Sequence, residues 1–386
     1  MSKSRNSKGF LTRKWCDLLF FLWLGIFVFS SGVGAIDTAE SVQKGLAYLA
    51  EVQNEDGGFP SAKGRLSSPM VTDWVVMALQ ASGEDVTGVH WCKNGVTPWA
   101  YLQKETRSLE GTTDYARTLL TLTAAGSGPV YQGVDLAEKI VSFQLPHGQF
   151  AQCALGEEGL VNCQIWSVLA LAAAEKEIPS QDKVLAWLVS QQNSDGGFGW
   201  AVGGESDPDD TGVALSALAV MGLEKDDVVI KKALQYLKDQ QNEDGGFGWT
   251  KQKTNTATDA WVIQGLTAVG EDPAGEKWQV GGISPPAHLC SLQNSDGSFQ
   301  WISGVDSSPV LMTAYAVFAL SGSSFPVNPS DEVNVCGENK LSCAESEKGE
   351  EKTEDKVQAG TLASFFTRVW PDLGGVMRLL FSSIVF

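Results

Sequence analysis

Histidine is the scarcest source of chemistry in this chain: 386 residues hold three, His90, His147 and His288. All three fall in linkers or outer segments and read as solvated. No three-ligand metal set can be assembled with them, so no metal site is expected. Basic residues are also in short supply, with 28 Lys and Arg against 46 Asp and Glu and a formal net charge of −18. So acidic a chain repels phosphate backbones, which removes nucleic acid from the expected partners. No Gly-x-Gly-x-x-Gly follows a strand and no phosphate loop is present, so no cofactor is expected. Ser-His-Asp chemistry has no nucleophile motif to support it.

Long apolar runs are nearly missing too. Leu18 to Phe29 is too short for a comfortable membrane span. It follows the basic Lys3, Arg5, Lys8, Arg13 and Lys14 and precedes Val33-Gly34-Ala35, a small-x-small cleavage pattern. Residues 1–35 therefore read as a signal peptide, with an uncleaved anchor as the alternative; either way the chain is expected to be exported. Beyond residue 35 six cysteines remain. Cys153 with Cys163 and Cys336 with Cys343 are the short-range disulfide candidates, and buried thiols are the alternative.

Residues 328–358 turn charged and acidic, as a solvated linker does. In 359–386, Phe365, Val369, Leu373, Met377, Leu380 and Ile384 recur at helical spacing. Arg368, Asp372 and Arg378 argue against a full span. Peripheral membrane contact through 361–386, docking on a partner and folding back on the main domain are all compatible with that pattern.

The bulk of the chain, 36–327, is repetitive. Gln53-Asn54-Glu55-Asp56-Gly57-Gly58-Phe59 recurs at Gln192 to Phe198, Gln241 to Phe247 and Gln293 to Phe299. Gln144 to Phe150 is a worn copy, and Gln103 marks a sixth by position. The six glutamines lie 50, 41, 48, 49 and 52 residues apart, a period typical of solenoids and toroids. An amphipathic stretch precedes each glutamine, as in Val229 to Leu237, and suits an outer helix with one wet face. A helix apolar nearly all round follows, as in Gly212 to Gly222, and belongs inside. Asp-Gly is turn chemistry, so the repeated loops read as structural rather than as cation sites. The glutamines and the aromatics Phe198, Trp200, Phe247, Trp249, Phe299 and Trp301 are expected to tie neighbouring hairpins together.

Gln-x-x-x-Gly-x-aromatic after an outer helix resembles the QW repeat of terpenoid cyclases. The hairpin series looks like the toroid of terpenoid cyclases and protein prenyltransferases. The resemblance implies an all-α fold, a single α6/α6 barrel of six hairpins around a central cavity. This ring hosts cyclases, prenyl transferases, thioester proteins and cobalamin carriers, so fold alone does not carry function.

Aligning the inner helices on Leu79, Leu120, Leu171, Leu218, Leu266 and Leu320 places Trp74, Tyr115, Trp166, Val213, Trp261 and Tyr315 at one level. Five of the six are aromatic and are candidates for the wall of a ligand cavity. The exception follows Asp207-Pro208-Asp209-Asp210-Thr211, which resembles the DxDDT acid motif of class II terpenoid cyclases. The resemblance implies that Asp209 donates a proton to an alkene, with Asp207 and Asp210 in support, while aromatic faces stabilise the cation. Asp and Thr are also ordinary N-caps, and Thr72-Asp73, Thr113-Asp114 and Thr258-Asp259 start other inner helices in a similar way. Asp73, Asp114 and Asp259 join the list of candidate ligand contacts, and each of them paired with Asp209 would give the two carboxylates of a glycan-acting ring.

A zinc transferase is rejected, because Val161-Asn162-Cys163 lacks the aspartate and Leu311-Met312-Thr313 the histidine that the resemblance would demand. Val335 to Asn339 faintly resembles a thioester sequence but has asparagine in place of the cross-linking glutamine. The expected partner is a hydrophobic or amphipathic small molecule of isoprenoid type. A class II cyclase, a non-catalytic carrier resembling the cobalamin-binding toroids and a glycan-acting ring are the three readings.

Overall fold

A computed structural model describes residues 38–152 and 160–327. The leader, the acidic linker, the segment 359–386 and Cys153, Cys336 and Cys343 lie outside the described residues. The described chain forms six hairpins, α1 (Thr38–Val52) with α2 (Pro69–Ala81), α3 (Pro98–Lys104) with α4 (Thr112–Ala124), and α5 (Leu136–Val141) with α6 (Val161–Ala173). The series continues with α7 (Gln181–Ser190) and α8 (Pro208–Val220), α9 (Val228–Gln240) and α10 (Thr256–Ala268), and α11 (Pro285–Ser291) and α12 (Pro309–Leu320). A ribbon of β1 (Val130–Tyr131) antiparallel to β2 (Val134–Asp135) leads into α5.

The even helices form the inner ring. Each packs on the next, and α12 returns against α2 to close the circle. Their burial explains the apolar character read from sequence: α6 buries every residue except Ala172. The odd helices bury one stripe, such as Ile230, Ala233, Leu234 and Leu237 on α9, and leave the rest to water. Helix starts are set by side chains that accept an orphan backbone N–H, among them Ser68, Thr97, Asp207, Asn255 and Ser284, each followed closely by proline except Asn255.

The repeated glutamine is the strap between hairpins. The Gln192 amide donates to Gly196 O in its own turn at 2.9 Å and to Val229 O of the next repeat at 2.8 Å. Gln53 and Gln241 do the same toward Trp91 O and Trp278 O. Gln293 donates to Ser41 O at 2.8 Å, which fastens the last repeat to the first. Gln103 is exposed, in keeping with the wear of the second repeat. The turn aspartates cap their own loops: Asp195 accepts from Gly197 N at 3.0 Å and from Ser206 Oγ at 2.8 Å. The phenylalanines Phe59, Phe150, Phe198, Phe247 and Phe299 are fully buried, whereas Trp200 is 40% exposed and joins the neighbouring hairpin through its backbone, its carbonyl accepting from Asn162 N at 3.2 Å.

Two glycines let α8 and α10 approach more closely than side chains allow. A Cβ on Gly212 would lie 2.7 Å from Trp261 O, and one on Gly265 would collide with Gly212 O. That contact draws the acidic segment at the start of α8 against the start of α10.

Candidate functional site at the axis of the ring

The inner helices share one register when counted from their N-caps. Six residues after Ser68, Gly111, Leu160, Asp207 and Asn255 stand Trp74, Arg117, Trp166, Val213 and Trp261. On α12, Tyr315 fills the same level. The second helix therefore contributes Arg117 to the axis, not Tyr115. The alignment on Leu120 slips by two residues, since Leu122 is the true counterpart of Leu79. Tyr115 is half-buried on the outer side, where its hydroxyl donates to Leu109 O at 2.8 Å and its ring lies 5.8 Å from Phe143.

The four remaining aromatics converge. Trp74 meets Trp166, Trp261 and Tyr315 at centroid distances of 5.7, 5.5 and 5.3 Å, all near edge-on. Trp261 and Tyr315 approach to 4.7 Å. The alternate inner helices α2, α6 and α10 are thus bridged across the ring by direct contact, so this level of the axis is filled rather than hollow. Phe325, just past the end of α12, inserts beside them, 5.3 Å from Trp166 and 4.6 Å from Phe318. Phe325 was not among the candidates, because nothing in a Ser-Phe-Pro sequence after a helix end marks an axial side chain.

The acidic segment divides its labour. Asp207 is the N-cap of α8, accepting from Asp210 N at 2.8 Å. Asp210 is buried and its Oδ1 accepts from the Asn162 amide on α6 at 3.2 Å. Asp209 caps nothing, and its buried Oδ1 has no hydrogen-bond partner among the described residues. Burial pushes the Asp209 carboxyl up to about 7; the Thr258 hydroxyl opposes that shift, while the charges of Asp210 and Asp259 add to it. Burial and its two acidic neighbours hold Asp207 well above the ordinary range, and burial raises Asp210 as well. Three carboxyls in one helical turn therefore favour protonation, and Asp209 is the one whose proton is not committed to a cap. Tyr315 feels both Asp209 and Arg117, which places the acid and the guanidinium near the aromatic group; burial raises the Tyr315 phenol.

The other three aspartates turn out not to be equivalent to one another, because they sit five, three and four residues after their caps. Asp73 is fully buried and takes both terminal nitrogens of Arg107, at 2.6 and 3.0 Å, and Nε of Arg117 at 3.3 Å. Asp114 holds Arg117 Nη2 at 2.9 Å and accepts from the backbone N–H of Gly111. Asp259 accepts from Phe247 N at 2.6 Å and pairs with His288 Nδ1 at 2.6 Å. All three are bonded to protein partners. His288 is buried by that pairing, against the expectation that it is solvated, while His90 and His147 are exposed.

The chain matches the prenyltransferase alpha-alpha toroid domain over residues 13–248 and 214–334. No curated protein matches it. Among solved structures, the type II terpene cyclase MstE from Scytonema, in its apo form, is similar with a TM-score of 0.52 at 16% identity, covering 74% of this chain and 97% of that one. An arginine-to-alanine variant of that cyclase, in complex with geranylgeranyl dihydroxybenzoate, gives 0.50 at 15% identity, with 74% and 97% covered. At such identities the likeness concerns the fold, which is that of a cyclase-like toroid. The match spans most of the sequence, and its six hairpins close the ring through α12 and α2: the chain belongs to the prenyltransferase alpha-alpha toroid domain family.

Proposed function

We propose that this chain is an exported, terpenoid-cyclase-like toroid that takes an apolar or amphipathic, isoprenoid-like ligand at its axis, with Asp209 as proton donor. The observation that carries the reading is the state of Asp209. Its carboxyl is largely buried, its Oδ1 has no hydrogen-bond partner among the described residues, and burial holds its proton up to about pH 7. In the proposed reaction that proton passes to one carbon of an alkene, and the cation formed at the other is stabilised by the aromatic faces of the Trp261 and Trp166 level. A second double bond of the same ligand closes on the cation, and loss of a proton from the product balances the one donated.

The test is to incubate the secreted protein and its Asp209→Asn variant with acyclic isoprenoids and to analyse the extracts for isomerised, cyclic products. The expected result is product from the parent and a loss of at least a hundredfold in the variant, with the melting temperature retained or raised. Product formation that survives the substitution removes Asp209 from the chemistry.

A second reading, a non-catalytic scaffold, is favoured by one observation: Trp74, Trp166, Trp261, Tyr315 and Phe325 pack on one another with no hollow between them. Native mass spectrometry of the secreted protein, followed by solvent extraction, separates the two. Protein that carries no ligand and converts no isoprenoid supports the scaffold.

A further inference from the structure

Gln264 lies one helical turn beyond Trp261 on α10. Trp261 reaches Trp74 and Trp166 across the axis, and residues three apart share a helix face, so Gln264 also belongs to the axial face. On the adjacent helix α12, the residue one turn beyond Tyr315 is Phe318, which touches Phe325 at 4.6 Å. Phe318 is thus the counterpart of Gln264, and Phe325, which also touches Trp74, Trp166 and Trp261, stands between the two levels.

The amide of Gln264 is 1% exposed, and neither its Oε1 nor its Nε2 finds a hydrogen-bond partner among the described residues. A buried amide left without partners destabilises a fold, because each orphaned group keeps its full desolvation penalty. The architecture does not ask for one here. The counterparts on the other inner helices are Met77, Leu120, Leu169, Ser216 and Phe318, four of them apolar and the fifth on neighbouring α8. The ring thus carries, at a level that is apolar apart from Ser216, a carboxamide whose donor and acceptor find no partner among the described residues.

We propose that Gln264 anchors a neutral hydrogen-bonding group, a hydroxyl in the first instance, on the apolar ligand of the ring, with the ligand taking the place that Phe325 holds. This rests on the ligand-binding reading above and gives it a substrate class: an isoprenoid alcohol rather than a diphosphate. Electrostatics point the same way. The axial cation, Arg117, is paired with Asp73 and Asp114, and the carboxyls of Asp207, Asp209 and Asp210 stand at the same end of α8. An anionic head group meets spent positive charge and nearby acid, whereas a hydroxyl matches both faces of the amide.

Farnesol and the hydrocarbon farnesene, titrated against the full chain and against Gln264→Leu with tryptophan fluorescence as the readout, test this; Gln264→Met serves if the leucine variant fails to fold. Both proteins are also examined with Phe325→Ala, so that access to the axis is not limiting. The parent is expected to prefer farnesol by about tenfold, the equivalent of one net hydrogen bond. Gln264→Leu should abolish that preference while melting at the same or a higher temperature, because the orphaned amide is gone. Equal preference in both proteins overturns the anchor and leaves the ligand-binding reading standing. A lower melting temperature with the preference intact also overturns it, assigning the amide to a buried water. Absence of binding by every protein brings down the ligand-binding reading and the anchor with it.

Discussion

The ring of Phe325 meets that of Trp166 edge-on, with centroids 5.3 Å apart and planes inclined by 84°. The same phenyl group lies nearly parallel to Trp261, at 6.2 Å and 28°. A residue beyond the last helix thus fills the middle of the toroid, held by tryptophans from α6 and α10. Truncation to Phe325→Ala should remove these ring contacts without disturbing the hairpins, whose straps lie elsewhere. The expected cost is about 3–5 kcal/mol in denaturant unfolding, typical of emptying a phenylalanine site. Binding of a small apolar probe such as benzene should restore part of it. A loss below about 1 kcal/mol would mean that the neighbouring rings close the gap themselves.

Asp209 couples stability to pH with a definite sign. Its carboxyl is raised in the folded state to about 7 from an ordinary 3.8. Between those values the folded chain holds a proton that the unfolded chain has released, so its contribution to stability is complete below about pH 4 and is lost as pH rises through about 7. Asp207 and Asp210, also raised, act in the same direction. Asp209→Asn should therefore stabilise the protein at pH 8 relative to the parent and flatten the decline between pH 4 and 7. Urea melts across that range read the difference. A decline of unchanged slope in the variant would assign the pH dependence to the other raised carboxyls, Asp207, Asp210 and Asp259.

What was legible in the sequence was whatever repeats. Gln192 and Asp195 recur because each hairpin solves the same hydrogen-bonding problem, and the same solution appears at Gln53 and Gln241. The level of the axial residues was harder to read. Leu120 and Leu122 both fit an apolar inner helix, and choosing between them needs the cap; on α4 that cap is Gly111, which has no side chain to announce a helix start. The slip exchanged Arg117 for Tyr115. Arg117 had no reason to look axial, because its burial depends on Asp73 from a different hairpin. Phe325 and Gln264 were invisible for a related reason. One follows the last helix and folds back, and the other is an ordinary helical glutamine whose isolation emerges only once its neighbours are placed.

The pairing of Asp259 with His288 replaces a neutral device with a charged one. In three other hairpins the N–H of the turn phenylalanine donates to a hydroxyl, Thr72, Thr211 or Thr313, and in the third repeat to the Gln164 amide oxygen. In the fifth, Phe247 N donates to a carboxylate with no exposed surface, and His288 on α11 lies against that carboxylate at 2.6 Å. Burial pushes Asp259 up to about 6, and the histidine opposes that shift. Burial acts against the charge on His288, but its bond to Asp259 and the charges of Asp259 and Asp244 prevail and raise it. The histidine's contribution is therefore complete below its unfolded value of about 6.5 and is lost as pH rises through the higher folded value. Removing it alone, as His288→Ala, leaves Asp259 without its counter-charge; near pH 6 the carboxyl then takes up a proton, so the cost should fall below the ~3–5 kcal/mol of a broken buried ion pair. The double substitution Asp259→Thr with His288→Ala installs the neutral arrangement of the other hairpins and should recover most of that loss. A double-mutant cycle by chemical denaturation measures the coupling. If the double variant is no more stable than His288→Ala, the histidine matters for its packing against Gly246 rather than for the charge on Asp259.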